Sequence, residues 1–262
     1  MRAYVEFAVK KFQDKLAYRL DFFMGIVNTA ITIAVYLYIY KALYGDASQV
    51  DGISYRMVAT NFVITLGLSN AFDYDEMFLE HKIHDGSITG EFLKPVSFLF
   101  RLLAENIGEG IFKIIFHFIP ALLFTMLYTK LCPPKSALSL IIMFTSIVLG
   151  YLILWLISFI IQTWSFWLFS VWGILTIKNV FVNILAGTLL PLWFMPEALR
   201  KIISFTPFES IYFTPVRIYL GELSGAEIFS GIAVQIIWIA VLGIIANLFW
   251  KQGVKKLVVQ GG

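Results

Sequence analysis

The segment Ser136–Pro196 constrains the fold most strongly, because its sixty-one residues contain a single charged side chain, Lys178. A helix needs about 20 apolar residues to cross the hydrocarbon core of a bilayer. The segment therefore has the length for two or three membrane crossings, and no soluble domain buries a stretch this long and this apolar. The sequence predicts that lipid is the solvent for most of the chain.

The composition points the same way. Apolar residues make up 59% of the chain and charged residues 14%, whereas soluble proteins contain about 25% charged residues. The net charge of +3 comes from scattered basic residues, which argues against a nucleic-acid partner. The single cysteine, Cys132, excludes an intrachain disulfide.

Six charge-poor segments predict transmembrane helices, at roughly 20–43, 54–73, 110–131, 138–163, 173–195 and 226–250. Basic residues flank both ends of the chain, so the positive-inside rule places both termini in the cytoplasm and requires an even number of crossings. With six spans, twelve Lys and Arg residues fall on cytoplasmic segments and seven on outer segments. No break in composition divides the chain, so we expect one all-α transmembrane domain over residues 1–262.

Two segments outside the spans also have a helical pattern. Val5, Val9, Phe12 and Leu16 recur at helical spacing among basic residues, which is typical of an amphipathic helix on the membrane surface. The alternative is a solvated lead-in to the first span. The outer connection from about residue 191 to 227 alternates prolines with apolar stretches, and this pattern favours short re-entrant helices that dip into the outer leaflet and return.

No catalytic or metal-binding constellation is visible. His81 and His84 are three residues apart, but no third ligand accompanies them, so we interpret them as part of a solvated surface and predict no metal site. The chain contains no Gly-Lys dipeptide and therefore no Walker A loop. We expect that this chain is not an enzyme and binds no cofactor, and that any ATP and Mg²⁺ are held by another subunit.

The most distinctive polar segment is Asp73–Ser97, which follows the second predicted span. Its pattern predicts a charged helix, a glycine turn at Asp85-Gly86, and a break in the backbone at Pro95 before the next helix begins. A helix presented in this way could dock in a groove of a cytoplasmic partner. From composition alone, a solvated loop is the alternative.

Three sets of landmarks resemble a known family. They are Ile83-His84-Asp85-Gly86-Ser87-Ile88 with Phe92-Leu93-Lys94-Pro95-Val96, Ala186-Gly187-Thr188-Leu189-Leu190-Pro191-Leu192 with Phe194-Met195-Pro196, and Thr206-Pro207-Phe208 with Thr214-Pro215 and Leu220-Gly221. With these landmarks, the chain resembles the membrane subunit of a type 2 ABC exporter. It is most similar to the compact bacterial permeases of the daunorubicin- and bacitracin-resistance type, and the resemblance extends over nearly the whole chain.

The resemblance implies a multidrug-efflux transporter in the bacterial cytoplasmic membrane. Two permease subunits, identical or related, would form the pathway above two cytoplasmic ATPase subunits. Residues 1–18 would border the contact with the ATPase. The coupling residues would be Glu76, Glu80, His81, Lys82, Ile83, His84, Asp85 and Gly86. The re-entrant segment that closes the exit would contain Gly187, Pro191, Pro196, Pro207 and Pro215.

Polar residues inside the spans are candidates for the pathway. They are Asn61, Asn70, Lys178 and Asn183. A charge within a span is costly and often lines a pathway, but Lys178 is also within snorkelling reach of the cytoplasmic interface, and we favour that interpretation. The commoner role of the asparagines is hydrogen bonding between helices.

Three functions are compatible with the sequence. An ABC exporter permease for amphipathic or lipid-like cargo, such as a hydrophobic drug, a peptide or a glycolipid, agrees with aromatic-rich spans. The alternative is a secondary transporter driven by an ion gradient, but such proteins carry ionisable groups at mid-membrane, and no acidic residue lies mid-span here. A membrane-embedded enzyme or scaffold is the third possibility. The sequence favours the exporter permease.

Overall fold

The computed structural model describes residues 2–17 and 19–257, without the side chains of residues 19–22. Residues 1 and 18, which the sequence includes in the surface helix, lie outside the described part. The prediction of a helical protein is confirmed, with one short hairpin in addition. Four of the described helices are long and apolar enough to cross a membrane.

The described residues form twelve α-helices, of which the first seven lie, with the hairpin, in the first half of the chain. Their bounds are α1 Arg2–Ala17, α2 Arg19–Tyr44, β1 Gln49–Val50, β2 Ile53–Ser54, α3 Tyr55–Phe72, α4 Phe78–His84, α5 Ile88–Phe92, α6 Phe98–Lys113 and α7 Ile119–Tyr128. A π-helical turn, Ile114–Phe118, joins α6 to α7 into one continuous helix. This turn ends two residues before Pro120, which cannot donate a backbone hydrogen bond. The continuous helix begins at Phe98, well before the predicted start of the third span.

The second half contains five helices. Their bounds are α8 Ala137–Thr163, α9 Trp172–Leu185, α10 Glu197–Ser204, α11 Glu209–Leu220 and α12 Gly225–Val254. A 3₁₀ turn, Trp164–Phe166, follows α8, and a second one, Leu192–Phe194, precedes α10. Helix α9 ends at Leu185, ten residues before the predicted end of the fifth span, because the chain turns at Gly187 with a φ of 80° that favours glycine.

Local signals explain where the long helices begin. Ser54 caps α3 by accepting a hydrogen bond from the Met57 N–H. Ser136 and Ser224 form capping boxes at the starts of α8 and α12. Each cap satisfies backbone N–H groups that have no partner within the helix. Helix α11 ends at Gly221 in the left-handed conformation, as is usual for a glycine after a helix.

The core is built around α3, α8, α11 and α12. Helices α3 and α11 are the most enclosed of these helices, since two-thirds of their residues are buried, twelve of eighteen in α3 and eight of twelve in α11. Helices α8 and α11 approach closely, because a Cβ atom at Gly150 would lie 2.5 Å from the Ile211 carbonyl oxygen. Gln235 of α12 joins both, donating to the Ser146 carbonyl at 3.0 Å and the Ser210 carbonyl at 2.8 Å.

Helix α1 lies along α6. Tyr4 and Phe7 face Phe100 and Arg101 of α6, and Ala8 contacts the backbone at Gly108. The apolar stripe that the sequence singled out lies on a neighbouring face, where Val5, Val9 and Leu16 are exposed, while its fourth member, Phe12, packs edge-on against Phe112. The stripe is therefore divided between contact with α6 and an open apolar surface.

Candidate functional site

A polar cleft lies between α2, α3 and α9 and has a volume of about 390 Å³. Its amide and hydroxyl groups come from Asn28, Thr29, Thr32, Ser69, Asn70, Asn179, Asn183 and Tyr212, and its charged groups from Asp73, Glu76 and Lys178. Three of the four residues predicted for the pathway, Asn70, Lys178 and Asn183, line this cleft. We refer to it below as the polar cleft.

Lys178 is bound at the floor of the polar cleft and does not extend to the surface. Its side chain is 5% exposed and forms an ion pair with Glu76. The ammonium group also donates to the Ser158 hydroxyl at 2.9 Å, and that hydroxyl donates to Glu76 Oε1 at 2.6 Å. Asn179 donates to Glu76 Oε2 at 3.3 Å. Snorkelling, the interpretation favoured from the sequence, is therefore wrong, because the chain supplies an internal counter-charge.

Glu80, one turn after Glu76, binds the start of α9. Its carboxylate accepts hydrogen bonds from the Val171 N–H at 2.7 Å and from the Ser170 hydroxyl at 3.2 Å. A negative charge at a helix N-terminus interacts favourably with the helix dipole. Two carboxylates of the segment around α4 therefore attach it to α9, one at the start of α9 and one at Lys178.

Glu91 of α5 holds a second ionic cluster at the same end of the molecule. Its carboxylate is 6% exposed and pairs with Arg101, with Lys94 at 2.8 Å and with Lys82 at 3.6 Å. Burial opposes the ionisation of Glu91, but the Lys94 hydrogen bond and the three positive charges outweigh it and lower its pKa. Lys82 belongs to α4, so this cluster links α4 through α5 to α6.

Glu109 of α6 is the centre of a third cluster. It pairs with Lys11 and Lys15 of α1 at 3.7 and 2.8 Å and with Lys113 at 3.4 Å. The ammonium group of Lys113 also donates to the Asp73 carbonyl at the end of α3, at 2.6 Å. These contacts fasten α1, α6 and the end of α3 together.

The remaining predicted coupling residues form the outward-facing part of the α4 segment. His81, His84, Asp85 and Gly86 are exposed, whereas Ile83 is partly buried against the main core. Gly86 has a φ of 74°, and the Ser87 N–H donates to Asp85 Oδ1 at 2.8 Å, so the glycine turn predicted from the sequence is present. His84 stacks on Phe169 with ring centroids 4.8 Å apart. In the described part of the chain, no group of three or more His, Cys, Asp or Glu side chains could hold a metal ion.

The fourth pathway candidate, Asn61, lies away from the polar cleft. It is fully buried in α3 and donates to the Gly187 carbonyl at 3.4 Å. This bond joins α3 to the turn that ends α9. Of the predicted exit residues, Pro191 precedes a 3₁₀ turn, Pro196 precedes α10, Pro207 lies between α10 and α11, and Pro215 lies inside α11.

A comparison with protein families identifies the chain. A family model described as ABC-2 family transporter protein matches residues 19–261. The chain belongs to this family. The resemblance to ABC-2 permeases is thereby confirmed. Neither the search of curated proteins nor the search of solved structures found a match.

Membership gives the chain its general role. An ABC-2 permease is a multi-pass membrane protein and the non-catalytic subunit of a transporter, and the family implies association with ABC ATPase subunits.

The sequence analysis missed most of the ionic contacts of this permease. Lys178 offered one signal, because a lone charge in an apolar segment needs a partner. The spacing of Glu109 and Lys113, four residues apart on one helix, offered another.

Proposed function

We propose that this permease forms one half of the transmembrane pathway of an ATP-driven exporter in the bacterial cytoplasmic membrane. Its six spans would be α2, α3, α6 with α7, α8, α9 and α12, with both termini in the cytoplasm. Helix α1 would lie on the membrane surface, and α10 and α11 would re-enter the outer leaflet. ATP and Mg²⁺ would be bound by partner ATPase subunits, and a second permease, identical or related, would complete the pathway.

The attachment of α4 to α9 carries this proposal. A transporter subunit without its own ATPase needs an element that receives movement from a partner and passes it to the pathway. The turn at Asp85-Gly86 presents an exposed surface for the partner, and Glu76 and Glu80 connect the same segment to α9. Movement of α4 would then displace α9 and change the width of the polar cleft.

The pathway would run along the polar cleft and past Asn61. Asn70, Lys178 and Asn183 would contact the polar part of the cargo, while the apolar spans accommodate the rest. Because Glu76 neutralises Lys178, the cleft favours amphipathic or lipid-like cargo without a strong net charge at the polar end. The segment with Gly187, Pro191, Pro196, Pro207 and Pro215 would close the exit.

The proposal is tested by purifying the permease from its native membrane in mild detergent and identifying the proteins that accompany it. A co-purifying ABC ATPase is expected. Asp85→Ala and Gly86→Pro should weaken its binding or its ATP hydrolysis, since both alter the exposed turn. Glu76→Gln should leave the ATPase bound but lower the cargo exported per ATP hydrolysed in reconstituted vesicles. Asp46→Asn, which removes an exposed carboxylate from the connection between α2 and the hairpin, is the control and should change neither quantity.

Two outcomes would contradict the proposal. One is purification without any nucleotide-binding subunit, together with cargo movement driven by an imposed ion gradient alone; the permease would then be a secondary transporter. The other is normal export per ATP in Glu76→Gln, which would show that the contact with Lys178 does not transmit movement.

A further inference from the structure

A second cavity lies between α2 and α7, at the end of these helices that is remote from the polar cleft. This groove, called the α2–α7 groove below, has a volume of about 490 Å³. Its lining consists of Ala30, Ala34, Leu37, Tyr38, Lys41, Tyr55, Arg56, Phe124, Thr125, Tyr128, Thr129 and Lys130. Apart from its mouth it is apolar, which distinguishes it from the amide-rich polar cleft.

The floor of the α2–α7 groove is a smooth channel along α2. Ala30, Ala34 and Leu37 follow one another at helical spacing and therefore lie on one face. Asn28 and Thr32, which line the polar cleft, lie on the opposite face of the same helix. The two cavities are therefore separated by α2, and a molecule in the groove would not occupy the proposed pathway.

Three cations lie at the mouth of the groove. Lys41 lies near the end of α2, Arg56 lies near the start of α3, and Lys130 follows the end of α7. Throughout the described residues, none of these three cations forms an ion pair with a carboxylate. Asp46 and Asp51 belong to the neighbouring hairpin connection but do not line the groove. The mouth therefore has a positive charge that the protein itself does not neutralise.

The guanidinium group of Arg56 is fixed in place. It donates to the Lys130 carbonyl at 3.2 Å and to the Leu131 carbonyl at 3.0 Å. These bonds use two of the five N–H donors of the group, so the others remain for a ligand. Tyr38 and Tyr128 are more than two-thirds exposed beside the mouth, as is typical of aromatic rings at the headgroup level of a bilayer.

We propose that the α2–α7 groove binds an anionic glycerophospholipid of the surrounding bilayer. The phosphodiester would contact Arg56, Lys41 and Lys130, and one acyl chain would lie in the channel over Ala30 and Ala34. Unpaired cations above an apolar channel match a ligand with one negative charge and a hydrocarbon tail. The lipid would be a resident component of the permease and not its cargo, because it lies on the other side of α2 from the polar cleft.

The test is native mass spectrometry of the purified full-length permease in a neutral detergent. Phosphatidylglycerol, phosphatidylcholine with the same acyl chains, and inorganic phosphate are titrated separately. Phosphatidylglycerol should bind at one saturable site and more tightly than phosphatidylcholine. The double variant Lys41→Gln/Lys130→Gln should weaken its binding by about fivefold for each cation removed, whereas Lys201→Gln, which removes an exposed cation elsewhere, should not change it.

A second variant tests the acyl-chain channel with the cations intact. Ala34→Phe fills the channel over α2 and should lower phosphatidylglycerol binding without altering the mouth. Three results would overturn the proposal: equal binding of the two lipids, an unchanged affinity in Lys41→Gln/Lys130→Gln, or displacement of the lipid by inorganic phosphate, which would indicate a site for a free anion only.

Discussion

Lys178 of the apolar segment forms an ion pair with Glu76 of the polar segment before α4, and each is needed to neutralise the other. The pair is supported by Ser158 and Asn179, so the carboxylate and the ammonium group are both hydrogen-bonded. Desolvation of charges is costly, and a pair of this kind is tolerated only when both partners are present. Removal of one partner leaves an uncompensated charge in the protein interior.

A double-mutant cycle tests this mutual dependence. We expect Lys178→Met to lower the free energy of unfolding by about 3 kcal/mol, because the Glu76 carboxylate, which is only 16% exposed, then lacks its counter-charge. Lys178→Met/Glu76→Gln should lose less than Lys178→Met alone. Denaturant unfolding of the purified permease in detergent measures both. Lys201→Met, which removes one member of an exposed pair, should change stability by under about 0.5 kcal/mol. A double variant as unstable as the sum of the single variants would contradict the pairing.

Glu91 predicts a dependence of stability on pH. Its pKa is lowered in the folded protein, so its stabilising effect is present above the ordinary glutamate value of 4.5 and is lost as the pH falls through the folded pKa. Glu91→Gln should lower stability by about 2 kcal/mol at neutral pH, because the buried Arg101 loses a charged partner. The difference from the unsubstituted protein should shrink on acidification below pH 4.5.

Thermal unfolding in detergent from neutral to acidic pH provides this measurement. Glu6→Gln is the matched control, because Glu6 forms only an exposed pair with Arg2. Its unfolding curve should follow that of the unsubstituted protein at every pH. A destabilisation by Glu91→Gln that stays constant across the acidic range would show that the Glu91 cluster is not the cause.

At the scale of the elements, carboxylates fasten the helices outside the proposed spans to those inside them. Glu109 fastens α1 to α6, Glu91 fastens α4 and α5 to α6, and Glu76 and Glu80 fasten α4 to α9. The proposed surface helix and the proposed coupling helix therefore share α6 as an attachment, and the coupling helix is attached to α9 as well. A displacement of α4 relative to α1 would change the position of α9 relative to α6.

The contact of α1 with α6 depends on Gly108. A Cβ atom at this position would clash with the Ala8 carbonyl oxygen, a backbone atom that no side-chain rotation can move aside. We expect Gly108→Ala to destabilise the docked α1 by about 2 kcal/mol and to increase hydrogen exchange along Arg2–Ala17. Gly243→Ala on α12 is the control, since a Cβ atom there meets no other atom within 4 Å. Unchanged exchange in α1 would contradict the close approach.

At the scale of the whole molecule, α3 is the axis of the bundle. It contacts α2 on one side and α11 on another, and it carries Asn61 toward the turn at Gly187 and Asn70 into the polar cleft. Asn70 donates to the Thr29 hydroxyl of α2. Asn61 and Asn70 each donate a hydrogen bond from the side-chain amide to a neighbouring element, which helps polar side chains of α3 lie inside a membrane protein.

The proposed topology predicts which loops face the cytoplasm. A single cysteine at the exposed position Ser48→Cys should react with a membrane-impermeant maleimide in intact cells, and His84→Cys should react only after permeabilisation. The background is Cys132→Ser, because Cys132 bonds to Thr60 and Tyr219 through its backbone N–H and carbonyl, which serine retains. Gln252→Cys should behave like His84→Cys. Labelling of His84→Cys in intact cells would contradict the proposed orientation.

Parts of the fold were readable from the sequence because they depend on local chemistry. Long runs without charge predicted the apolar helices of Ser136–Pro196 and of the C-terminal part, and Gly86 predicted the turn after α4. The landmarks of the family were sufficient to predict an ABC-2 permease. Each of these signals lies within a few neighbouring residues, so the chain need not be folded to show them.

The partners of the charged residues were decided only by the tertiary structure. Lys178 and Glu76 are separated by 102 positions in the chain, and Glu109 binds lysines from the first helix. The same sequence pattern was compatible with a snorkelling lysine and a solvated acidic loop. Which carboxylate meets which cation depends on how α1, α6, α8 and α9 pack, and this packing is set by contacts between backbones, such as those at Gly108 and Gly150, that have no local signature in the sequence.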